Sequence, residues 1–291
     1  MTVKGCYTAL ITPFDADGNV DYEAFERIIN DQISAGIDGI VAVGTTGESP
    51  TLGMKDHSEV IRFAVKTAAG RCKVVAGTGA NCTAEAIELT KQAHKDGADA
   101  SLQVTPYYNK PTQEGLYQHI KAIADSADMP IILYNVPGRS AIPLTIETIA
   151  RMNEIPQVLA VKEAGGCVDR ISQIQQACDI QIVSGDDALT LPMMSVGATG
   201  VISVLSNVLP AQMTQLCKFA NEGNYPEALK IHRKYYQLMN DMFVESNPIP
   251  VKTLMASLGY GTETFRLPLC PINENARKIL FDSARNVGVA I

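Results

Sequence analysis

The chain has 291 residues, 46% apolar and 19% charged, enough for one large domain or a barrel with an appendage. Its 24 basic and 31 acidic side chains give a formal charge of −7, which argues against nucleic acid or an anionic membrane surface as partner. Seven scattered cysteines without a C-x-x-C pair fit a reduced, cytoplasmic protein. Met1–Gly5 has no signal-peptide layout, and no apolar stretch reaches the roughly 18 residues of a membrane span.

Eight short apolar or β-branched segments are predicted as strands, at roughly 5–14, 36–44, 73–79, 98–105, 130–136, 158–163, 180–185 and 199–206. Helical spacing fills the intervals. In 21–35, Tyr22, Phe25, Ile28, Ile29 and Ile33 share a face; in 83–95, Ala86, Ile87, Thr90 and Ala93 do the same. Strand alternating with helix implies parallel pairing with right-handed crossovers. A weak repeat supports this. Gly36, Gly97 and Gly197 each precede a short turn and a buried strand, as left-handed helix C-caps would.

Eight such units predict an α/β fold, a closed (β/α)8 TIM barrel over 1–223. The first βα junction, Thr12-Pro13-Phe14-Asp15, carries no G-x-G-x-x-G dinucleotide fingerprint. After residue 223 the strand signal stops. Segments 225–245, 250–258 and 273–287 read as helices, so 224–291 is expected to be a C-terminal helical appendage.

In such a barrel the chemistry sits at the C-terminal ends of the strands. Lys162, within Val158-Leu159-Ala160-Val161-Lys162-Glu163-Ala164, stands out there because an apolar run is a poor solvent for an ammonium. A neutral amine is the nucleophile that forms a Schiff base with a carbonyl. The other reading is a strand-end lysine that snorkels to water or pairs with Glu163. Gly44-Thr45-Thr46-Gly47 offers backbone N–H groups and two hydroxyls able to hold a carboxylate, or is a simple capped turn. Tyr134, one strand before Lys162, could move a proton, or be a buried phenol bonded to a backbone carbonyl. Arg139 follows in a Pro-Gly loop, suited to a bidentate carboxylate contact or to ordinary surface duty.

Metal ligation is weakly indicated. His57, His94, His119 and His232 are dispersed, and Asp186-Asp187 reads equally as a cation pair or a helix N-cap. There is no P-loop.

Gly44-Thr45-Thr46-Gly47-Glu48, Tyr134-Asn135-Val136-Pro137-Gly138-Arg139, Val161-Lys162-Glu163, Ser184-Gly185-Asp186 and the tail motif Asn247-Pro248-Ile249-Pro250-Val251-Lys252 occur in order. Together they resemble the dihydrodipicolinate synthase and N-acetylneuraminate lyase superfamily over essentially the whole chain. The likeness is to its lysine-biosynthesis branch, because sialic-acid lyases differ at the Arg139 position and usually carry serine in place of Thr45.

The resemblance implies that Lys162 forms a Schiff base with pyruvate and that L-aspartate 4-semialdehyde is the second substrate, with no metal or other cofactor. It implies Tyr134 as general acid and base, linked through Thr45 to Tyr108 of a neighbouring subunit. Thr45 and Thr46 would hold the pyruvate carboxylate, Arg139 the semialdehyde carboxylate, and the backbones of Gly185 and Ile202 would line the pyruvate pocket. A homotetramer, a dimer of tight dimers, is the family's usual state. L-Lysine feedback would act at Ser49, His57, Asn81, Glu85 and Tyr107. Pro50 and Met54 depart from the commonest sensitive pattern, so moderate inhibition is expected.

Overall fold

The computed structural model describes all 291 residues. Eight strands alternate with helices from the N-terminus: β1 Gly5–Ala9, β2 Gly39–Ala42, β3 Lys73–Gly77, β4 Ala100–Val104, β5 Ile131–Asn135, β6 Val158–Glu163, β7 Gln181–Ser184 and β8 Gly200–Ser203. Each pairs in parallel with its sequence neighbour, and β8 returns to β1, which closes the barrel. The predicted (β/α)8 fold is therefore the observed one.

The helices start and stop where side chains satisfy the orphan backbone groups. Asp21 accepts from Ala24 N at the head of α1 (Tyr22–Ser34), and Thr112 from Gly115 N at the head of α4 (Gln113–Ala124). Gly36, Gly97 and Gly197 all take positive φ, at 81°, 89° and 116°, where a side chain would strain the turn into the next strand. The repeat visible in the sequence is thus a repeat of backbone geometry.

Alternation along the strands separates two apolar layers. Outward residues such as Ile40, Leu133, Val161 and Ile182 join the large cluster under the helices. Inward residues, among them Tyr7, Val41, Val75, Leu102, Ile132, Ala160, Val183 and Ile202, form a separate cluster of 13 that fills the barrel. Lys162 follows Ala160 by two positions, so it shares that inward face at the C-terminal mouth.

Beyond β8 only helices follow: α9 (Pro210–Asn221), α10 (Tyr225–Asp241), α11 (Ile249–Ser257) and α12 (Glu274–Asn286). The segment between α10 and α11 turns back over the mouth of the barrel, where Asn247 donates to Thr46 Oγ1 at 3.0 Å. No helix is long and apolar enough to cross a membrane, and all seven cysteines are free thiols.

Candidate active site

β6 positions Lys162 with its side chain only 6% exposed to solvent. It takes part in none of the chain's ion pairs. Glu163 is not its partner, because adjacent strand residues point to opposite faces. The Glu163 carboxylate instead lies outside the barrel. It accepts from Asn135 Nδ2 at 2.8 and 3.0 Å, Gly165 N at 2.7 Å and Arg170 Nε at 3.2 Å. Lys162 is left as a buried amine without a counter-ion.

β5 places Tyr134 directly opposite Lys162 in register, with Nζ 4.2 Å from the ring centroid. The Tyr134 backbone carbonyl is occupied by Thr105 Oγ1 at 2.9 Å, which fixes the strand end behind it. β7 ends in Gly185, where a Cβ would meet Lys162 Cε at 2.9 Å and Ala164 Cβ at 2.7 Å. A side chain there would have to displace Ala164 or Lys162.

These groups line one cavity of about 160 Å³, together with Thr45, Thr46, Arg139, Val204, Phe243 and Asn247. Thr45 opens a short 3-10 turn, Thr45–Gly47. Arg139, on the four-residue helix α5 (Pro137–Ser140), donates from Nη2 to the Asn247 carbonyl at 3.2 Å. A second cavity of about 220 Å³ adjoins the first, shares Thr45, Tyr134 and Arg139 with it, and adds Ser49 and Tyr107.

The structure therefore gathers Lys162, Tyr134, Thr45, Thr46, Arg139 and Gly185. Ile202 lies one layer deeper, among the inward apolar residues, and Val204 stands at the cavity wall instead. Tyr108 is apart from the cavity. It sits at φ 75° on the loop after β4 and is 89% exposed.

Among the residues expected to bind lysine, Asn81 donates to the Tyr107 carbonyl at 3.2 Å. Burial raises the Tyr107 phenol, with the Glu85 charge adding to it. His57 is buried, and desolvation lowers its imidazole to about 4, outweighing a nearby Gly77 backbone group.

Asp186 and Asp187 bind backbone: Asp186 accepts from Ala188 N at 3.1 Å, and Asp187 from Val204 N at 3.0 Å and Leu205 N at 2.9 Å. Neither aspartate is a helix N-cap: the next helix, Thr190–Ser195, has Leu189 at its N-cap with no side-chain bond, and the pair instead fixes the loops after β7 and β8. No group of three or more His, Cys, Asp or Glu is placed to hold a metal ion.

Two features escaped the sequence reading. Asn247 bonds Thr46 through its side chain and Arg139 through its carbonyl, and so joins the threonine turn to the arginine. Glu48 and Lys252 form an ion pair whose side chains are 0% and 1% exposed. Burial holds Lys252 down to about 8 although Glu48 opposes the shift. The available signal was a lysine inside the apolar run Ile249-Pro250-Val251-Lys252-Thr253-Leu254.

A closed βα barrel with a buried lysine and tyrosine at its C-terminal mouth defines a lyase of the Schiff-base, aldolase class. The chain belongs to the dihydrodipicolinate synthetase family, whose model matches residues 2–286. A curated 4-hydroxy-tetrahydrodipicolinate synthase from Endomicrobium trichonymphae is 50% identical over 288 residues, covering 98% of this chain and 99% of its own. The crystal structure of the chloride-inhibited dihydrodipicolinate synthase of Acinetobacter baumannii, complexed with pyruvate, superposes with a TM-score of 0.97. It is 44% identical and covers 99% of this chain and 100% of that one. The enzyme of Cyanidioschyzon merolae, solved with lysine bound, gives a TM-score of 0.95 at 41% identity, covering 99% of each chain.

Proposed function

We propose that this chain condenses pyruvate with L-aspartate 4-semialdehyde through a Schiff base on Lys162, as a 4-hydroxy-tetrahydrodipicolinate synthase of diaminopimelate and lysine biosynthesis. The observation that carries the residue assignment is a buried Lys162 without a counter-ion, opposite Tyr134, in a cavity walled by Thr45, Thr46 and Arg139.

The Lys162 amine attacks the pyruvate ketone, and water leaves to give an iminium. That iminium is an electron sink, so a methyl proton departs and an enamine forms. The enamine carbon bonds to the semialdehyde carbonyl carbon, whose oxygen takes a proton. The amino group of the semialdehyde then attacks the iminium carbon, closes the ring and releases Lys162. Tyr134 is the group within reach to carry these protons. Thr45 and Thr46 hold the pyruvate carboxylate with their hydroxyls as well as the backbone N–H groups of their turn, and Arg139 receives the second carboxylate.

Tyr108 completes the proton path from a neighbouring copy, which its outward, exposed position supports. The active form is then an oligomer, a dimer of dimers. L-Lysine acts at the Ser49 and Tyr107 end of the adjoining cavity, near Asn81, Glu85 and His57, and inhibits moderately.

The deciding experiment is incubation with pyruvate and borohydride, followed by peptide mapping. The expected adduct is on Lys162; a modified peptide lacking it would refute the mechanism. A coupled assay with L-aspartate 4-semialdehyde against N-acetylneuraminate then separates the synthase from a sugar-acid lyase.

A further inference from the structure

The threonine turn is bracketed by strain. Val43 and Glu48, one before Gly44 and one after Gly47, both have φ 57°, in the left-handed region that side chains disfavour. Such residues persist only where their surroundings over-determine them. Local bonds supply part of this: Thr12 Oγ1 donates to the Gly47 carbonyl at 2.7 Å, and Glu48 N to the Thr45 carbonyl at 3.1 Å.

The rest comes from the tail. Lys252 Nζ donates to Glu48 Oε1, and Arg266 N to Glu48 Oε2 at 3.2 Å. The Arg266 side chain goes on to the Gly18 carbonyl at 3.0 Å, the Thr51 carbonyl at 3.3 Å and Asp56 at 2.9 Å. The Phe14 ring lies under both cations, 3.8 Å from Lys252 Nζ and 4.7 Å from Arg266 Cζ. Asn247 holds Thr46 itself.

A fully buried ion pair is a poor way to gain stability, because removing two charges from water costs about what their attraction returns. Its distinctive property is direction: one carboxylate orientation satisfies both Lys252 Nζ and Arg266 N.

We propose that Glu48 and Lys252 are positioning residues that hold the Thr45–Gly47 turn in the conformation that captures pyruvate. Neither touches the cavity that Lys162 lines. This proposal rests on the reading that Thr45 and Thr46 bind the pyruvate carboxylate. On it, the helical tail is part of the first substrate's site although the barrel supplies the lysine.

The test is Michaelis kinetics on the full chain. Lys252→Met strands a buried carboxylate and can fail to fold, so the informative variant is Glu48→Gln/Lys252→Met, which removes both charges. Its KM for pyruvate is expected to rise about tenfold, with a smaller change in kcat and in the KM for the semialdehyde. The yield of borohydride-trapped adduct at sub-saturating pyruvate falls in parallel. A double variant with an unaltered pyruvate KM, whatever its melting temperature, overturns the proposal and leaves a merely structural pair.

Thr46→Val separates binding by the turn from its positioning by the tail. If it raises the pyruvate KM while the double variant does not, the threonine reading stands and the positioning role falls. If Thr46→Val leaves that KM unchanged, the threonine reading fails and takes the proposal with it.

Discussion

Lys162 and Tyr134 face each other across the β5–β6 pairing, with Lys162 Nζ 4.2 Å from the phenol ring centroid. The pairing is set by backbone hydrogen bonds of two buried strands, so neither group can drift without breaking the barrel. The proposed nucleophile and proton carrier are thereby fixed on adjacent rigid elements, which is the condition for orientation to lower a barrier.

Tyr134→Phe keeps the ring beside Lys162 and removes only the hydroxyl. Loss of a general acid and base is expected to lower kcat by about 10²- to 10⁴-fold. Melting temperature is the control: a fall in kcat that tracks unfolding would place Tyr134 in the packing and not in the chemistry.

Gly185→Ala tests the space around the lysine. The new methyl would sit 2.9 Å from Lys162 Cε and 2.7 Å from Ala164 Cβ. Overpacking of this kind costs about 1–3 kcal/mol and pushes side chains off their rotamers. Borohydride trapping should fall sharply at saturating pyruvate. Normal trapping in Gly185→Ala would mean that Lys162 has room to spare.

Arg139→Ala distinguishes the two substrates. Adduct formation with pyruvate is expected to stay near wild type. The kcat/KM for the semialdehyde should drop roughly ten- to a hundredfold, as for a lost charge-assisted hydrogen bond. Equal loss of both would show that Arg139 serves the first substrate through its contact with Asn247.

Much of this arrangement was legible because it is periodic or local. The helical spacing in 83–95 matched α3 (Thr83–Lys95), with Ala86, Thr90 and Ala93 on its buried stripe, although Leu89 is buried there and Ile87 only half-buried. Gly36, Gly97 and Gly197 declared their left-handed turns. Lys162 was conspicuous by its apolar neighbours, and alternation alone separates it from Glu163.

What stayed hidden is contact across long separations. Thr46 and Asn247 are 201 positions apart, and only the closed fold brings them together. Lys252 shows the limit best. It sits in an apolar run just as Lys162 does, yet it is neutralised by Glu48, 204 positions away. Sequence shows that a lysine is buried; whether it is paired depends on which distant carboxylate the fold delivers.

Two buried histidines make the fold sensitive to acid. Burial lowers both His57 and His119 from 6.5 to about 4. His119 Nδ1 lies 2.9 Å from Thr83 Oγ1, while its Nε2 has no partner, so a proton there would be stranded. In the unfolded chain both rings bind protons near pH 6.5; in the folded chain they stay neutral down to about pH 4. Between those values the unfolded state holds more protons, so stability is complete above pH 6.5 and declines as pH falls toward 4. Each histidine accounts for a loss on the order of 3 kcal/mol once pH lies below both values. Urea unfolding at pH 7 and pH 4.5 should show the decline. His119→Gln, which keeps a polar partner for Thr83, should be less sensitive over that interval than wild type. An unchanged pH dependence in His119→Gln would assign the acid sensitivity elsewhere.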